Sequence, residues 1–371
     1  MVKKTDGLQS AEDMIDKKIG ILSMQKVMNC GSFLQAFALM NTIKELRKNS
    51  MILFIDIKPG RPLYLHDEME NRGAIKRFMK KHLPGKIKRI ISNTLYFFEN
   101  RDRILLYSFF WKKYLGISKE NNWEETFDTV IIGSDEVFNC TQDAAWGFSK
   151  NLLGENIKSN KIITYAASCG FSTIEKAETL GIKTEACAAL KNIELFSVRD
   201  KNTASFVKNF TGKDALLHLD PVFIFDYESY IRKTKEKHPF LLVYAYPGRI
   251  SDGNVIEKIK FFAEKNDLNI ISILGKQSWC KNIFINPFQV LSYFKSADFV
   301  VSDTFHGAVL SIKYNKQFIQ FICDNEKHGL PNREKVTSLL EQFCLEDRII
   351  TNAKDILPVL EKKIAYGPIN E

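Results

Sequence analysis

The chain has 371 residues, of which 45% are hydrophobic and 26% are charged. This length and composition are typical of a globular protein and predict two domains. The 53 lysines and arginines against 44 acidic residues give a net charge of +9, which favours anionic partners such as nucleotides, phosphosugars or an anionic membrane surface. No zinc-finger spacing, RNA-binding aromatic signature or basic coiled-coil region accompanies this charge, so nucleic acid is not expected as a partner.

The first half of the chain predicts a parallel sheet, because short apolar strands alternate there with helical periodicity. We place an N-terminal Rossmann-like domain at 18–225, with an insertion at about 60–125. Ligands of such sheets gather at the carboxyl ends of the strands. The predicted strands are 18–23, 51–57, 128–133, 161–168 and a similar pattern at 195–200, and the clearest predicted helix is 33–47.

A second block of the same kind follows a charged connection at 226–238. We place a C-terminal Rossmann-like domain at 239–371, with its final helices either inside this domain or packed back on the first. The expected fold class is therefore α/β, with two Rossmann-like domains facing a cleft. The predicted strands are 240–246, 268–275, 299–302 and 317–323, and the predicted helices are 254–266, 287–296 and 305–314.

The segment 72–89 fits neither sheet and contains eight lysines or arginines and no acidic residue. Apolar residues interrupt the basic ones, as in amphipathic helices that lie on anionic lipid. A solvated helical face covering the first sheet explains the same pattern, and both interpretations stay open. The segment is a basic helical insertion in the first domain under either of them.

The seven cysteines are scattered and form no C-x-x-C pair, which is typical of reduced cytosolic thiols. The first 18 residues lack the apolar core of a signal peptide, and no stretch approaches the roughly 20 apolar residues of a membrane span. We expect a cytoplasmic protein, with peripheral membrane contact through 72–89 as the open alternative. No residues have the spacing of metal ligands, so no metal is expected.

An apolar run at 298–301 stops at Ser302-Asp303-Thr304-Phe305-His306-Gly307. The pattern predicts a strand, a tight turn and the start of a helix. Backbone N–H groups at a helix N-terminus are unpaired and carry partial positive charge, so this turn suits a phosphate or a carboxylate. An ordinary helix cap with a structural histidine is the alternative.

Further polar residues stand at predicted strand ends, and their order along the chain resembles the polysaccharide pyruvyl transferase family. The resemblance spans roughly residues 18–325. It is carried by Gly20-Ile-Leu followed by Asn29-Cys-Gly-Ser-Phe-Leu-Gln35, by Ile131-Ile-Gly-Ser-Asp135-Glu-Val-Phe-Asn139, by Tyr165-Ala-Ala-Ser168, by Ser197-Val-Arg199-Asp200, by Leu219-Asp220-Pro221 and by Ser302-Asp-Thr-Phe-His306-Gly307.

The resemblance implies two Rossmann-like domains of the glycosyltransferase-B kind. It also implies transfer of an enolpyruvyl unit from phosphoenolpyruvate to two hydroxyls of a sugar, giving a pyruvate ketal in cell-surface polysaccharide synthesis. Phosphoenolpyruvate would be a donor substrate, with no separate cofactor, and the acceptor a saccharide that is free or lipid-linked. The sequence departs from the family where Thr304 stands in place of an arginine two residues before the histidine, and where Glu136 replaces a common Gln.

Ketal formation requires proton transfers, and three residues are the catalytic candidates. His306 suits a general acid or a phosphate ligand, because the ordinary pKa of histidine lies near neutrality. Asp135 suits proton acceptance from a sugar hydroxyl, and capping of the following helix is the alternative. Asp303 either orients His306 or caps its own helix.

The predicted substrate-binding residues surround these candidates. Arg199 offers a fork for carboxylate or phosphate, or else forms a structural ion pair. A glycine in the first turn lets the backbone approach a ligand. The complete predicted binding set is Arg199, Thr304, Ser134, Asn29, Gly31, Gln35 and Ser168. Two other functions stay open, a glycosyltransferase of the same fold that uses a nucleotide sugar and a non-catalytic partner in an assembly complex.

Overall fold

The computed structural model describes residues 17–64, 85–117, 120–322 and 333–367, and for 85–99 it describes the backbone alone. The predicted basic segment 72–89 lies outside the described side chains. Helix α2, given below, carries the chain through the second half of the predicted insertion. Among the described residues, no helix combines the length and the apolar character needed to cross a membrane.

The first half of the chain forms a six-stranded parallel sheet in the order β2-β1-β3-β4-β5-β6. Four of the five residues of the first strand are fully buried, as expected for a strand covered by helices on both faces. The strands are β1 (Lys18–Leu22), β2 (Met51–Ile55), β3 (Phe127–Asp135), β4 (Ser159–Ala167), β5 (Ser197–Val198) and β6 (Leu216–Leu217).

Several helices of this half begin at polar residues that cap them. Asn29 caps α1 through the backbone N–H of Gly31, Asp200 caps α5 through Thr203, and Asp220 caps α6 through Val222. The helices are α1 (Cys30–Leu46), α2 (Gly85–Leu115), α3 (Ile174–Thr179), α4 (Lys183–Leu190), α5 (Lys201–Thr211) and α6 (Pro221–Ile224).

The second half forms another six-stranded parallel sheet, in the order β12-β11-β10-β7-β8-β9. Its strands are β7 (Phe240–Tyr244), β8 (Asn269–Ser272), β9 (Lys281–Asn282), β10 (Phe299–Ser302), β11 (Gln317–Phe321) and β12 (Ile349–Ile350). Its helices are α7 (Gly253–Lys265), α8 (Pro287–Ser296), α9 (Phe305–Lys313), α10 (Arg333–Gln342) and α11 (Ile356–Glu361).

The second sheet has the strand order of a Rossmann fold, 3-2-1-4-5-6 when its strands are numbered from β7. The order reverses between β7 and β10, and in the first sheet it reverses between β1 and β3. At such switch points the loops leave in opposite directions and open a crevice at the carboxyl edge. The predicted α/β fold with two Rossmann-like domains is thereby confirmed.

An aromatic cluster joins the two halves away from the strand ends. The ring of Phe37 on α1 lies 5.1 Å from that of Phe288 on α8 and 5.5 Å from that of Phe225, which precedes the connection. Tyr230, within the connection, lies 4.7 Å from Phe288. A large apolar contact of this kind resists relative movement of two domains. Helix α10 also meets the first half, where the backbone N–H of Lys201 donates to Ser338 Oγ at 3.2 Å.

Candidate functional site

A cleft of about 420 Å³ opens where the two switch points face each other. Both halves of the chain contribute to its walls, so neither sheet forms the cleft alone. This volume lies in the range of small-molecule sites. The lining residues are Met24, Val27, Asn29, Ser32, Asp135, Glu136, Gln142, Trp146 and Arg199 from the first half, and Tyr244, Tyr246, Arg249, Leu274, Thr304, Phe305, His306 and Lys335 from the second.

Arg199 is the central cation of the first wall. Its Nη1 donates to Asp220 Oδ2 at 2.9 Å, and its Nη2 lies 3.5 Å from Asp135 Oδ1. The guanidinium also lies 4.1 Å from the ring centre of Phe305. Burial would lower the pKa of Arg199, but Asp220 and Asp135 more than offset this effect and raise it. The arginine therefore stays charged and holds the two carboxylates in place.

Asp135 ends β3 and points into the cleft. Its backbone has a φ of 83°, a conformation that costs energy for a residue with a side chain and often marks functional sites. Ser32 Oγ donates to its Oδ2 at 2.5 Å. Burial would raise the pKa of Asp135, but Arg199, His306 and the Ser32 hydroxyl hold it below its usual range. The side chain is therefore a carboxylate that accepts hydrogen bonds.

His306 lies at the start of α9 and faces this carboxylate group. Thr304 caps the helix by accepting from the N–H of Gly307 at 2.9 Å. His306 Nε2 is buried with no hydrogen-bond partner among the described residues, and it lies 3.9 Å from Asp220 Oδ2. Burial lowers the pKa of His306 below 6.5, and the nearby carboxylates offset only part of this shift. Burial therefore favours the neutral imidazole, and its buried Nε2 is left without a hydrogen bond among the described residues.

Gly31, one of the predicted binding residues, supports the histidine from the opposite wall. A Cβ atom added to Gly31 would lie 2.2 Å from His306 Nδ1. Real Cβ atoms do not approach other atoms this closely, so a larger residue at this position would displace the imidazole. Glycine is required at position 31 because His306 of the second domain packs against it.

Asp303 lies behind the second wall, where it is buried. It accepts from the backbone N–H of Tyr246 at 3.2 Å, and Arg249 Nε lies 3.6 Å from its Oδ2. Burial raises the pKa of Asp303 to about 7, although Arg249 and the backbone donors act in the opposite direction. Asp303 therefore positions the loop that follows β7.

Two polar contacts connect the walls across the cleft. Asn29 Nδ2 donates to the hydroxyl of Tyr246 at 2.5 Å, and Lys335 of α10 pairs with Glu136. The guanidinium of Arg249 lies 4.6 Å from the ring centre of Tyr246. A ligand in the cleft therefore meets groups that both domains hold in place.

Three predicted binding residues lie beneath the lining. Ser134 Oγ donates to Asp220 Oδ2 at 3.1 Å, Gln35 Nε2 donates to Ser23 Oγ at 2.9 Å, and Ser168 Oγ donates to Asp200 Oδ2 at 2.8 Å. All three are fully buried. They support the loops at the strand ends and do not face the cavity.

Several residues at the site were not among the predicted site residues, including Arg249, Tyr246, Lys335 and Asp220. Arg249 and Tyr246 follow β7, and the adjacency of β7 and β10 brings them beside His306. Lys335 comes from a helix distant in sequence. Asp220 belongs to the Leu219-Asp220-Pro221 motif of the sequence, and its position directly before a proline could have indicated a role at the site. Within the described ranges, no three His, Cys, Asp or Glu residues are arranged to hold a metal ion.

Several solved structures are similar in fold. MnaA of S. aureus, solved with UDP, has 12% identity and a TM-score of 0.46, covering 92% of this chain and 86% of that one. UDP-GlcNAc 2-epimerase from Neisseria meningitidis, bound to UDP-GlcNAc, has 9% identity and a TM-score of 0.44, covering 92% and 89%. E. coli heptosyltransferase WaaC with ADP-2-deoxy-2-fluoro heptose has 12% identity and a TM-score of 0.38, covering 89% and 99%. No curated protein sequence matches the chain.

The model of one protein family matches residues 29–325. The match begins at the cap of α1 and continues beyond β11, so it includes His306, Arg199, Asp135 and Asp220. It covers most of the 371 residues and confirms the resemblance found in the sequence. The chain is a transferase and belongs to the polysaccharide pyruvyl transferase family.

Proposed function

We propose that this protein transfers an enolpyruvyl unit from phosphoenolpyruvate to two hydroxyls of a saccharide. In this reaction the methylene carbon of the donor gains a proton, two C–O bonds form at the central carbon, and the C–O bond to phosphate breaks. One of the two hydroxyl protons ends on the new methyl group, and the other leaves with phosphate. The products are a pyruvate ketal and inorganic phosphate.

One observation carries the proposal: His306 lines a cleft together with Asp135 and Arg199, and its Nε2 has no hydrogen-bond partner among the described residues. A neutral imidazole accepts the proton of an attacking hydroxyl. The imidazolium formed in this way lies near the carboxylates of Asp220 and Asp135, and it is the acid that the methylene carbon requires. Asp135 accepts a hydrogen bond from the saccharide in this arrangement.

The donor is a small molecule with a phosphate and a carboxylate. The N-terminal end of α9 offers positive dipole charge to one of these anions. Arg249 adds a guanidinium on the same wall. Because Arg199 is already engaged by two buried carboxylates, its role here is to fix Asp135 and polarise the site.

Isothermal calorimetry with phosphoenolpyruvate, UDP-sugars and CMP-sialic acid tests the donor. We expect phosphoenolpyruvate alone to bind, and we expect Arg249→Gln to weaken this binding. His306→Ala should lower phosphate release in the presence of acceptor by about 10²–10⁴-fold. The matched control is His238→Ala, because this histidine is 46% exposed in the connection between the sheets. Binding of a nucleotide sugar in place of phosphoenolpyruvate would instead favour glycosyl transfer.

We also propose that the enzyme works in the cytoplasm on a lipid-linked acceptor, with the basic segment 72–89 contacting the membrane. The support is the charge of that segment, eight lysines or arginines without an acidic residue. Vesicles with and without anionic lipid test this point by co-sedimentation. Replacement of the basic residues by glutamine should abolish binding to the anionic vesicles, and unchanged binding would remove the membrane contact from the proposal.

A further inference from the structure

A second cavity, of about 500 Å³, adjoins the cleft on the first-domain side. Val27 and Trp146 line both cavities, so the second one begins where the first wall ends. No step of the proposed reaction uses it. Its remaining lining residues are Ser23, Gln25, Lys26, Asp56, Ile57, Pro59, Asn121, Trp123 and Ala145.

The cavity contains two tryptophans, and the backbone around Trp123 holds that ring firmly. Trp123 Nε1 donates to the carbonyl of Asp56 at 2.8 Å, and its backbone N–H donates to Asn121 Oδ1 at 3.1 Å. Lys58 Nζ lies 5.6 Å from the ring centre. An aromatic ring fixed before a ligand arrives loses little conformational entropy on binding.

Charged and amide groups accompany the rings. The carboxylate of Asp56 pairs with Lys26, and the side chains of the two residues are 19% and 39% exposed. Gln25 Nε2 donates to the carbonyl of Ile55 at 2.9 Å, and Gln25 Oε1 accepts from Ser23. These bonds hold the β1 loop against the end of β2. The cavity therefore combines flat apolar surfaces with a partly exposed ion pair.

A pyranose ring matches this combination of groups. Its C–H bonds form apolar faces that stack on aromatic rings, and its hydroxyls form a rim that exchanges hydrogen bonds with carboxylates, ammonium groups and amides. An extended aliphatic ligand would cover the partly exposed ion pair with apolar surface, and a compact anion would leave the tryptophans uncovered. A sugar satisfies both parts of the cavity.

We propose that the second cavity binds the next sugar unit of the acceptor while the terminal unit occupies the cleft. This inference rests on the proposed function, because it needs a saccharide in the cleft. It makes Trp123 and Asp56 specificity-determining residues for the acceptor, and it predicts that the enzyme recognises an oligosaccharide rather than a single sugar. The shared lining by Val27 and Trp146 lets one chain of sugars extend through both cavities.

Calorimetry with lactose, cellobiose, mannobiose and N,N′-diacetylchitobiose, each beside the methyl glycoside of its terminal sugar, tests the proposal on the full chain. We expect at least one disaccharide to bind about fivefold to tenfold more tightly than its methyl glycoside. Trp123→Leu and Asp56→Asn should each remove most of this gain. The matched control is Trp279→Leu, since this partly buried tryptophan packs against the core of the second domain, away from the second cavity, and should leave the gain intact.

Thermal unfolding of each variant shows whether it folds, and Asp56→Asn keeps the shape of the side chain if Trp123→Leu does not fold. The proposal is wrong if no disaccharide gains over its methyl glycoside, or if the gain survives in both variants. Phosphoenolpyruvate binding, measured on the same samples, separates the two ideas. The protein could show a disaccharide gain that depends on Trp123 and yet fail to bind phosphoenolpyruvate. This result would contradict the proposed donor but support the saccharide-binding cavity.

Discussion

The two walls of the cleft differ in how their charged and titratable side chains are arranged. In the first wall, Arg199 lies between Asp135 and Asp220, and their side chains are at most 10% exposed. In the second wall, His306 has a buried ring nitrogen without a partner among the described residues, and behind this wall burial raises the pKa of Asp303 to about 7. The first wall pairs its buried carboxylates with an arginine, whereas in and behind the second wall burial shifts the pKa values of His306 and Asp303 away from their usual ranges.

This difference suggests a structural role for Arg199 and a catalytic role for His306. A buried carboxylate next to a guanidinium stays ionised over the working range of pH and provides a fixed field. Proton transfer requires a group that can accept a proton, and a neutral buried imidazole in the second wall is such a group. We therefore expect the loss of Arg199 from the first wall to affect mainly folding, and changes in the second wall to affect mainly catalysis and its dependence on pH.

Removal of Arg199 should have the largest effect on stability. Arg199→Leu leaves Asp220 and Asp135 buried without their cation, and we expect the free energy of unfolding to fall by about 3–5 kcal/mol. Urea denaturation measures this loss. The control Lys208→Met breaks an ion pair in which Asp214 is 90% exposed and should change the stability little. Equal stability of the two variants would contradict a structural role for Arg199.

Asp303 should impose a pH dependence on stability. Because burial raises the pKa of Asp303 from 3.8 to about 7, the folded protein binds a proton that the unfolded chain releases between these values. The wild type should therefore lose stability relative to Asp303→Asn as the pH rises from about 4 to about 7, by at most about 1.4 kcal/mol per pH unit.

Denaturation of both proteins across this pH range measures the difference. His306 acts in the opposite direction, because its pKa is lowered and its contribution is lost as the pH falls below about 6.5. Both proteins contain His306, so its effect cancels in the comparison. A difference that does not vary with pH would show that Asp303 is ionised throughout.

Gly31→Ala tests how closely the walls meet. Its new Cβ would overlap His306 Nδ1, so we expect a loss of about 1–3 kcal/mol in unfolding free energy, together with reduced kcat. Gly253→Ala is the matched control, because it too lies in the first turn of a helix and a Cβ there meets no atom within 4 Å. If Gly31→Ala behaved like Gly253→Ala, the imidazole would not be held against α1.

The hydrogen bond between Asn29 and Tyr246 should give the smallest effect. Tyr246→Phe removes a contact across the cleft, at a cost of about 1 kcal/mol in stability, and should raise the KM for phosphoenolpyruvate with a smaller change in kcat. Tyr366→Phe removes a comparable bond, from the hydroxyl to the carbonyl of Lys316 at 2.6 Å, inside the second domain. Only Tyr246→Phe should change the KM. If the two variants had the same KM, the hydrogen bond between Asn29 and Tyr246 would not contribute to the geometry of the site.

The boundaries of individual strands and helices show how accurately the sequence predicted secondary structure. The strand predicted at 299–302 matches β10, and the predicted helix at 254–266 matches α7 within one residue at each end. The strand predicted at 268–275 ends at Ser272, because Ser272 Oγ bonds the carbonyl of Gly275 at 2.7 Å and turns the chain. Apolar periodicity records burial but does not mark such a turn.

The sequence by itself determined the alternation of buried strands and helices and the family, because these depend on local periodicity or on ordered motifs. The cap of α9 is Thr304 and not Asp303, the candidate that the sequence offered. Only the tertiary structure decided that Gly31 meets His306, that Arg199 belongs to Asp220, and that Ser134, Gln35 and Ser168 lie beneath the lining. Side-chain direction at a strand end and the proximity of loops from different sheets depend on strand order and domain packing. Residues such as Asn29 and Tyr246, which lie 217 positions apart, leave no local trace of their contact.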